Sequence, residues 1–489
     1  MLFSRKLLPS LFILLLFIPV IATNASLYNI ANAAKHHSRS IPRSANTNTT
    51  TIIPTLDNTR DRTAVGGPSL NDPDLAIERI IDTGLKSTTS MAFLGPNDIL
   101  VLEKDTGIVH RIVNGKMLPE PLIDVNVAIE AERGLFGIAI AKCSNSNGDD
   151  NGNTRHIFLY YTESGVGKDG DDAPTAGNIP SAGNRLYRYD LDENNNKLIN
   201  STLLLNLPAS PPSDRENIER QHMGGKVLIG LDNNVYVGIG DVAGHRGQAE
   251  NNPNGIAPDG TGGILRITQD GQIVDDNNPP PLGNDTIPLA LYYAYGMRNT
   301  FGMDFDPITG NLWDTENGNT FGDEINLVHP GFNSGWSQVA GIWKVLPGSK
   351  PGPAIGADSN NPPKDLVTFG GKGVYRAPEF TWLQTVAPTA LKFLSSDRLG
   401  KQYENTMFVG DVDNGRLYNF RLNEDRTGLV LDGPLVDKVA NTPDEMTKQA
   451  GVTIGQGFGV ITDMQVGPED GYLYILTLNG IIYRIVPSS

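Results

Sequence analysis

Between residues 91 and 485 the chain states one pattern six times: an apolar strand, a Pro/Asp/Asn/Gly turn, a second apolar strand, a Gly or Asn break, then a third strand. The statements fall at 91–112; at 134–140, 156–161 and 185–190; at 226–241 and 263–267; at 301–316 and 323–328; at 390–394, 406–411 and 415–422; and at 464–477 and 480–485. A lone sheet of three or four short strands leaves an apolar face in water, and neighbouring copies of the same unit supply the missing cover. No helix-length amphipathic period competes over this region. The pattern predicts an all-β fold, a six-bladed β-propeller, with a β-sandwich or open array as the alternative. Long stretches at 144–155, 164–183, 243–262 and 338–369 read as loops crowning one rim, where binding and catalytic groups concentrate.

The formal net charge of −16 over 489 residues disfavours nucleic acid or an anionic membrane surface as partner. A single cysteine, Cys143, excludes an intramolecular disulfide and lacks any metal-ligand spacing. Arg5 and Lys6 precede a nearly unbroken apolar run at 7–22, followed by small residues. Residues 1–34 therefore read as a signal peptide or an uncleaved anchor, which places the mature chain outside the cytoplasm. Residues 35–70, rich in Ser, Thr and Asn, read as a disordered tether, and 71–489 as the propeller. Asn48, Asn200 and Asn284 begin glycosylation sequons, a weak signal.

The third statement carries the first chemical hint. Residues 226–230 and 235–239 read as strands joined by an Asp-Asn-Asn turn, with His222 just before the first and Asp241 just after the second. A tight hairpin returns the chain to its starting end, so a base and a carboxylate should share one rim of the sheet. Fixing a loop is the other role open to such a histidine.

Six runs then carry a resemblance: GLFGIA at 134–139, HMGGK at 222–226, GIGD at 238–241, YGMRNTFG at 295–302, ENGNTFGDEINL at 316–327 and NSGW at 333–336, with TVAPT at 385–389 after them. In this order the chain resembles the soluble glucose/sorbosone dehydrogenases, above all the aldose sugar dehydrogenases that use pyrroloquinoline quinone. The resemblance covers about 77–487 and implies a six-bladed propeller with the quinone on its top face. It implies His222 as the base for the C1 hydroxyl of a sugar, Asp241 as the carboxylate orienting it, and Arg298 as the cation opposite the reducing quinone. Glu132, Asn317, Gly318, Asn319 and Thr462 would line the quinone as well. Gly318 and Asn319 would hold one Ca2+ through backbone oxygens, and Glu324 with Ser334 a second, structural one; hard cations take such oxygen donors. A sugar substrate and an external electron acceptor follow as partners.

The chain departs from the pattern where an Arg-x-Arg-Asp run grips the quinone carboxylates: residues 460–463 read VITD. Glu132 stands where a glutamine is usual, and Lys392 only loosely matches a further lysine. A tricarboxylate depends on cations, so these departures bear on quinone binding and leave the fold untouched. They keep open a non-enzymatic saccharide- or protein-binding propeller and a calcium-dependent lactonase-like hydrolase. Trp313, Trp336, Trp343 and Trp382 read as packing between strands. His110, His156, His245 and His329 read as structural or solvated, and the Asp/Asn-rich stretches at 145–153 and 169–172 as solvated loops.

Overall fold

The computed structural model describes residues 67–142, 155–170, 181–210, 220–244, 246–275, 280–283, 287–355, 363–449 and 451–488. The leader, most of the tether, Cys143, His245, the stretch 145–153 and the sequons at Asn48 and Asn284 lie outside the described residues. What is described is almost entirely sheet, with a few single-turn helical segments.

Each repeat builds one sheet. The innermost strands, in chain order, are Thr88–Gly95, Leu135–Lys142, Val227–Ile229, Thr300–Phe305, Pro388–Phe393 and Ile461–Val466. Antiparallel neighbours extend each of them outward, as in Val227–Ile229, Val235–Ile239, Gly263–Ile267 and Tyr292–Tyr295. Successive innermost strands pack side by side, and the last, Ile461–Val466, packs against the first, Thr88–Gly95. The sheets therefore form a closed cycle.

The apolar residues explain the cycle. One cluster fills each junction between successive sheets; Leu100, Leu102, Leu135 and Leu159 lie between the first and second, and Phe158, Tyr160, Val227 and Val237 between the second and third. Met91, Val101, Tyr474 and Leu476 seal the junction of the sixth sheet with the first. Fully burying one such side chain is worth about 1.5–3 kcal/mol, so these junctions are the main stabilising term. Approach is close near the centre: a Cβ on Gly137 would stand 1.9 Å from the carbonyl oxygen of Gly225 on the next sheet.

Closure uses both ends of the chain. Leu75–Ile81 adds to the sixth sheet antiparallel to Ile482–Pro487. Ser69–Leu70, which composition puts at the end of the tether, pairs with Thr453–Gln456 at the edge of the fifth sheet. One stretch read as loop, 338–369, holds a small sheet of Val339–Ala340, Trp343–Leu346 and Lys350–Ala354. Its last strand reads KPGPA, a composition poor in strand formers, and pairing at the surface overrides that preference.

Candidate active site

The site grows from the hairpin of the third sheet. Asn233 takes the left-handed conformation in the turn, and Gly230 N–H donates to the Asn234 carbonyl at 2.9 Å. The two strands end at one rim, with His222 entering and Asp241 leaving. His222 is itself held at φ +61°, a conformation that costs a non-glycine residue energy. Two contacts fix it: its backbone N–H donates to Glu132 Oε2 at 2.5 Å, and its Nδ1 lies 2.5 Å from Asp241 Oδ1. A carboxylate only accepts, so Nδ1 carries the hydrogen and Nε2 has its lone pair free. No hydrogen-bond partner of Nε2 occurs among the described residues.

Asp241 has no exposure to solvent. Burial pushes its carboxyl pKa up, but the charge and hydrogen bond of His222, then Arg298 and the Trp336 indole, outweigh that and hold it below the ordinary value. Its Oδ2 accepts the Trp336 Nε1–H at 2.8 Å, and its backbone N–H donates to the Arg298 carbonyl at 2.8 Å. The base and the cation that the sequence singles out therefore share one end of the cycle. Glycine is required between them, because a Cβ on Gly240 would lie 2.1 Å from the His222 oxygen and 2.9 Å from that of Arg298.

Arg298 opens the fourth sheet. Its N–H donates to Glu316 Oε1 at 2.6 Å, and its Nη1 to the carbonyls of Asn317 and Gly318 at 2.9 and 2.8 Å. The guanidinium carbon stands 5.6 Å from the centre of the Trp336 ring. Beside it, Asn317 Oδ1 is buried and has no hydrogen-bond partner among the described residues. Two carbonyls and an unpartnered amide oxygen form a donor set that suits a hard cation. Asn319, by contrast, is exposed and donates its Nδ2 to Ser349 Oγ at 2.6 Å.

Behind this rim, Glu316 and Glu324 face each other as a register pair on adjacent strands. Ser334 Oγ lies 2.7 Å from Glu316 Oε2 and 2.9 Å from Glu324 Oε2, and Gly341 N–H donates to Glu324 Oε1 at 2.6 Å. Burial pushes Glu316 up to about 7, with the Asp241 charge adding to it, and burial with the Glu316 charge drives Glu324 well above the ordinary carboxyl range. Surplus negative charge around one hydroxyl fits either a shared proton or a bound cation. Among the described residues, no group of three or more His, Cys, Asp or Glu converges as a metal cage. Asp323, next in line, accepts backbone N–H bonds from Gly318, Val386 and Ala387 and so ties the fourth sheet to the fifth.

The side expected to grip the quinone carboxylates is different. Thr462 donates its hydroxyl to the Leu476 carbonyl at 3.3 Å, and Lys392 is paired with Asp304 at 2.9 Å. Lys226 reaches from the third sheet to Asp463 of the sixth at 2.5 Å, where Ser90 of the first also bonds. That cation is therefore neutralised. Val460 lines a cleft of about 430 Å³ whose wall includes Asp413, Asn414 and Arg416, and Arg416 Nη1 donates to the Pro443 carbonyl at 3.4 Å. Toward an anionic cofactor the rim offers Arg298, with Arg416 in the separate cleft beside Val460 and the paired arginines absent.

Sequence reasoning assigned Trp336 to packing and passed over Asn299, whose Nδ2 reaches Glu132 Oε2 at 3.4 Å and whose Oδ1 accepts from Gly224 N–H. Their place beside Arg298 and in the NSGW run is the one sequence signal that pointed to them.

A family model described as glucose / sorbosone dehydrogenase matches residues 85–484, and the chain belongs to that family. It is 24% identical over 421 residues to the aldose sugar dehydrogenase YliI of Escherichia coli (strain K12), covering 83% of this chain and 92% of the relative. It is 25% identical over 402 residues to quinoprotein glucose dehydrogenase B of Acinetobacter calcoaceticus, covering 71% and 77%. Among solved structures it resembles the apo form of the soluble aldose sugar dehydrogenase of Escherichia coli, with a TM-score of 0.60 at 23% identity over 84% of this chain and 99% of that one. It also resembles the PQQ-bound aldose sugar dehydrogenase of Streptomyces coelicolor, with a TM-score of 0.55 at 20% identity over 84% and 98%. At these identities the likeness is one of fold.

Proposed function

We propose that the chain is an exported oxidoreductase, built as a six-bladed β-propeller, that oxidises the C1 hydroxyl of an aldose-type sugar with pyrroloquinoline quinone as hydride acceptor and calcium as companion cation. Membership of the family supports sugar oxidation in general. The observation that carries the reading for this chain is the His222–Asp241 pair, with Nε2 free, on the same rim as Arg298.

Asp241 keeps the hydrogen on Nδ1. Nε2 is thus the atom that takes the hydroxyl proton, and a positioned base contributes on the order of 10²–10⁴-fold. Glu132 holds the His222 backbone so that the ring cannot swing from the rim. Arg298 offers positive charge to an oxygen that becomes negative as the reaction proceeds. When bound, the quinone supplies the two-electron acceptor that no side chain provides. The carbonyls of Asn317 and Gly318, with the Asn317 amide oxygen, would hold one cation; Glu316, Glu324 and Ser334 would hold the other.

The test is to titrate purified protein with calcium and the quinone, then follow dye reduction across an aldose panel. Stoichiometric quinone binding with sugar-dependent reduction is expected, and H222Q should lower kcat by at least about 10²-fold. The lack of cations at Val460 and Thr462 favours one competing outcome, tight calcium without quinone. That result would overturn the proposal in favour of a binding propeller or a calcium-dependent hydrolase.

A further inference from the structure

Trp336 behaves unlike the other buried tryptophans. Trp313 and Trp382 are packed in the junction between the fourth and fifth sheets, and their indole N–H groups have no hydrogen-bond partner among the described residues. The indole of Trp336 has few apolar neighbours, Phe321 and Ala340 among them, and its N–H is aimed at Asp241 Oδ2 at 2.8 Å. Its ring face lies under the Arg298 guanidinium. The loop that carries it is fastened to the loop that carries Arg298: Trp336 N–H donates to the Gly296 carbonyl at 2.9 Å, and Ser334 N–H to that of Tyr295 at 3.1 Å. Asn251 Nδ2 holds the Trp336 carbonyl at 2.8 Å.

We propose that Trp336 is a positioning residue: it clamps the Asp241 carboxylate in the orientation that serves His222 Nδ1, and sets that pair in register with Arg298. A carboxylate has two oxygens and rotates about χ2, so a bond to Oδ1 alone leaves the second oxygen free to turn. The indole N–H occupies Oδ2 as a rigid donor on a large, locked side chain. The same ring meets Arg298 through cation–π attraction, so one side chain sets base and cation relative to each other. Phenylalanine fills nearly the same space and keeps the ring face, but cannot donate. Packing alone would make the two residues interchangeable.

The catalytic meaning of this clamp rests on the function proposed above; its existence does not. The experiment compares His222 ring-nitrogen and Nδ1–H resonances in 15N-histidine-labelled parent protein, W336F and the control W343F. The expected result is a shift of the Nδ1 signal, and a loss of its downfield proton, in W336F but not in W343F. Unchanged His222 signals in W336F would overturn the clamp. Should W336F fail to fold, D241N decides the matter in protein labelled at its tryptophans. One of the four indole signals must move upfield as its acceptor loses charge, and four unmoved signals would overturn the proposal. In quinone-loaded protein, W336F should lower kcat roughly tenfold at unchanged KM, the signature of an interaction made in the transition state. Absence of sugar turnover in the parent protein would end the functional reading and leave the resonance experiment to judge the clamp.

Discussion

Ser334 has one hydroxyl hydrogen and two buried carboxylates within reach of its oxygen. Both carboxyls have folded-state pKa values raised by burial, that of Glu316 to about 7. A group held protonated in the fold stabilises it below its unfolded pKa, near 4.5 for glutamate, and that contribution is lost as pH climbs through the folded value. Metal-free protein should therefore melt at progressively lower temperature between about pH 4.5 and 7, and calcium should reverse the loss at neutral pH by neutralising the pair. Thermal melts across that range, with and without the ion, check this; a calcium-insensitive profile would remove the pair as a cation site. In the separate cleft beside Val460, Arg416 is the residue in question. A charge-assisted bond is worth about 1.5–3 kcal/mol, so R416Q should weaken quinone binding by about 10- to 100-fold in a fluorescence titration if the quinone carboxylates extend into that cleft. Unchanged binding would leave Arg298 as the cation that serves them. The hairpin alone singles out His222 and Asp241, whereas Arg298 and Glu324 enter only through the resemblance that the runs at 295–302 and 316–327 carry. Trp336 was not readable, because the bond that distinguishes it joins residues separated by 95 positions, and an indole in a sequence reads first as apolar bulk.

At the level of elements, the hairpin was legible in full: Val/Ile/Tyr runs, a turn tolerant of left-handed backbone, and ionisable residues at both ends. The small sheet over residues 339–354 was not, since Gly, Pro and Lys in its outer strand argue against pairing until a neighbour is present. Gly240 marks where element geometry and chemistry meet, because the backbones of His222 and Arg298 close around it. G240A must push two carbonyls apart. It should cost about 1–3 kcal/mol of stability, read by urea denaturation, and displace Asp241 from His222. Wild-type stability and an unchanged His222 environment in that variant would show that the rim yields more readily than described.

Across the whole molecule, the restatement was visible because the second strand of each unit is an apolar run buried almost throughout and the turns repeat the same residue types. Which strand completes the sixth sheet was less visible, since Leu75–Ile81 is half-exposed and far in sequence from its partner. Removing residues 67–81 should leave Ile482–Pro487 as a bare edge and uncover the apolar residues that Leu75 shields. Soluble yield and melting temperature should both fall sharply, with aggregation of the truncated protein on light scattering. A truncated protein as soluble and stable as the parent would mean that the cycle closes without this strand.

The pairing of Leu75–Ile81 with Ile482–Pro487 also sets a timetable for biogenesis. The two partners lie at opposite ends of the propeller's sequence, so no stretch of polypeptide that stops before residue 482 can latch. Until residues 482–487 are made, the early strand waits with its hydrogen bonds unclaimed, and a protein stalled or clipped before them is born open.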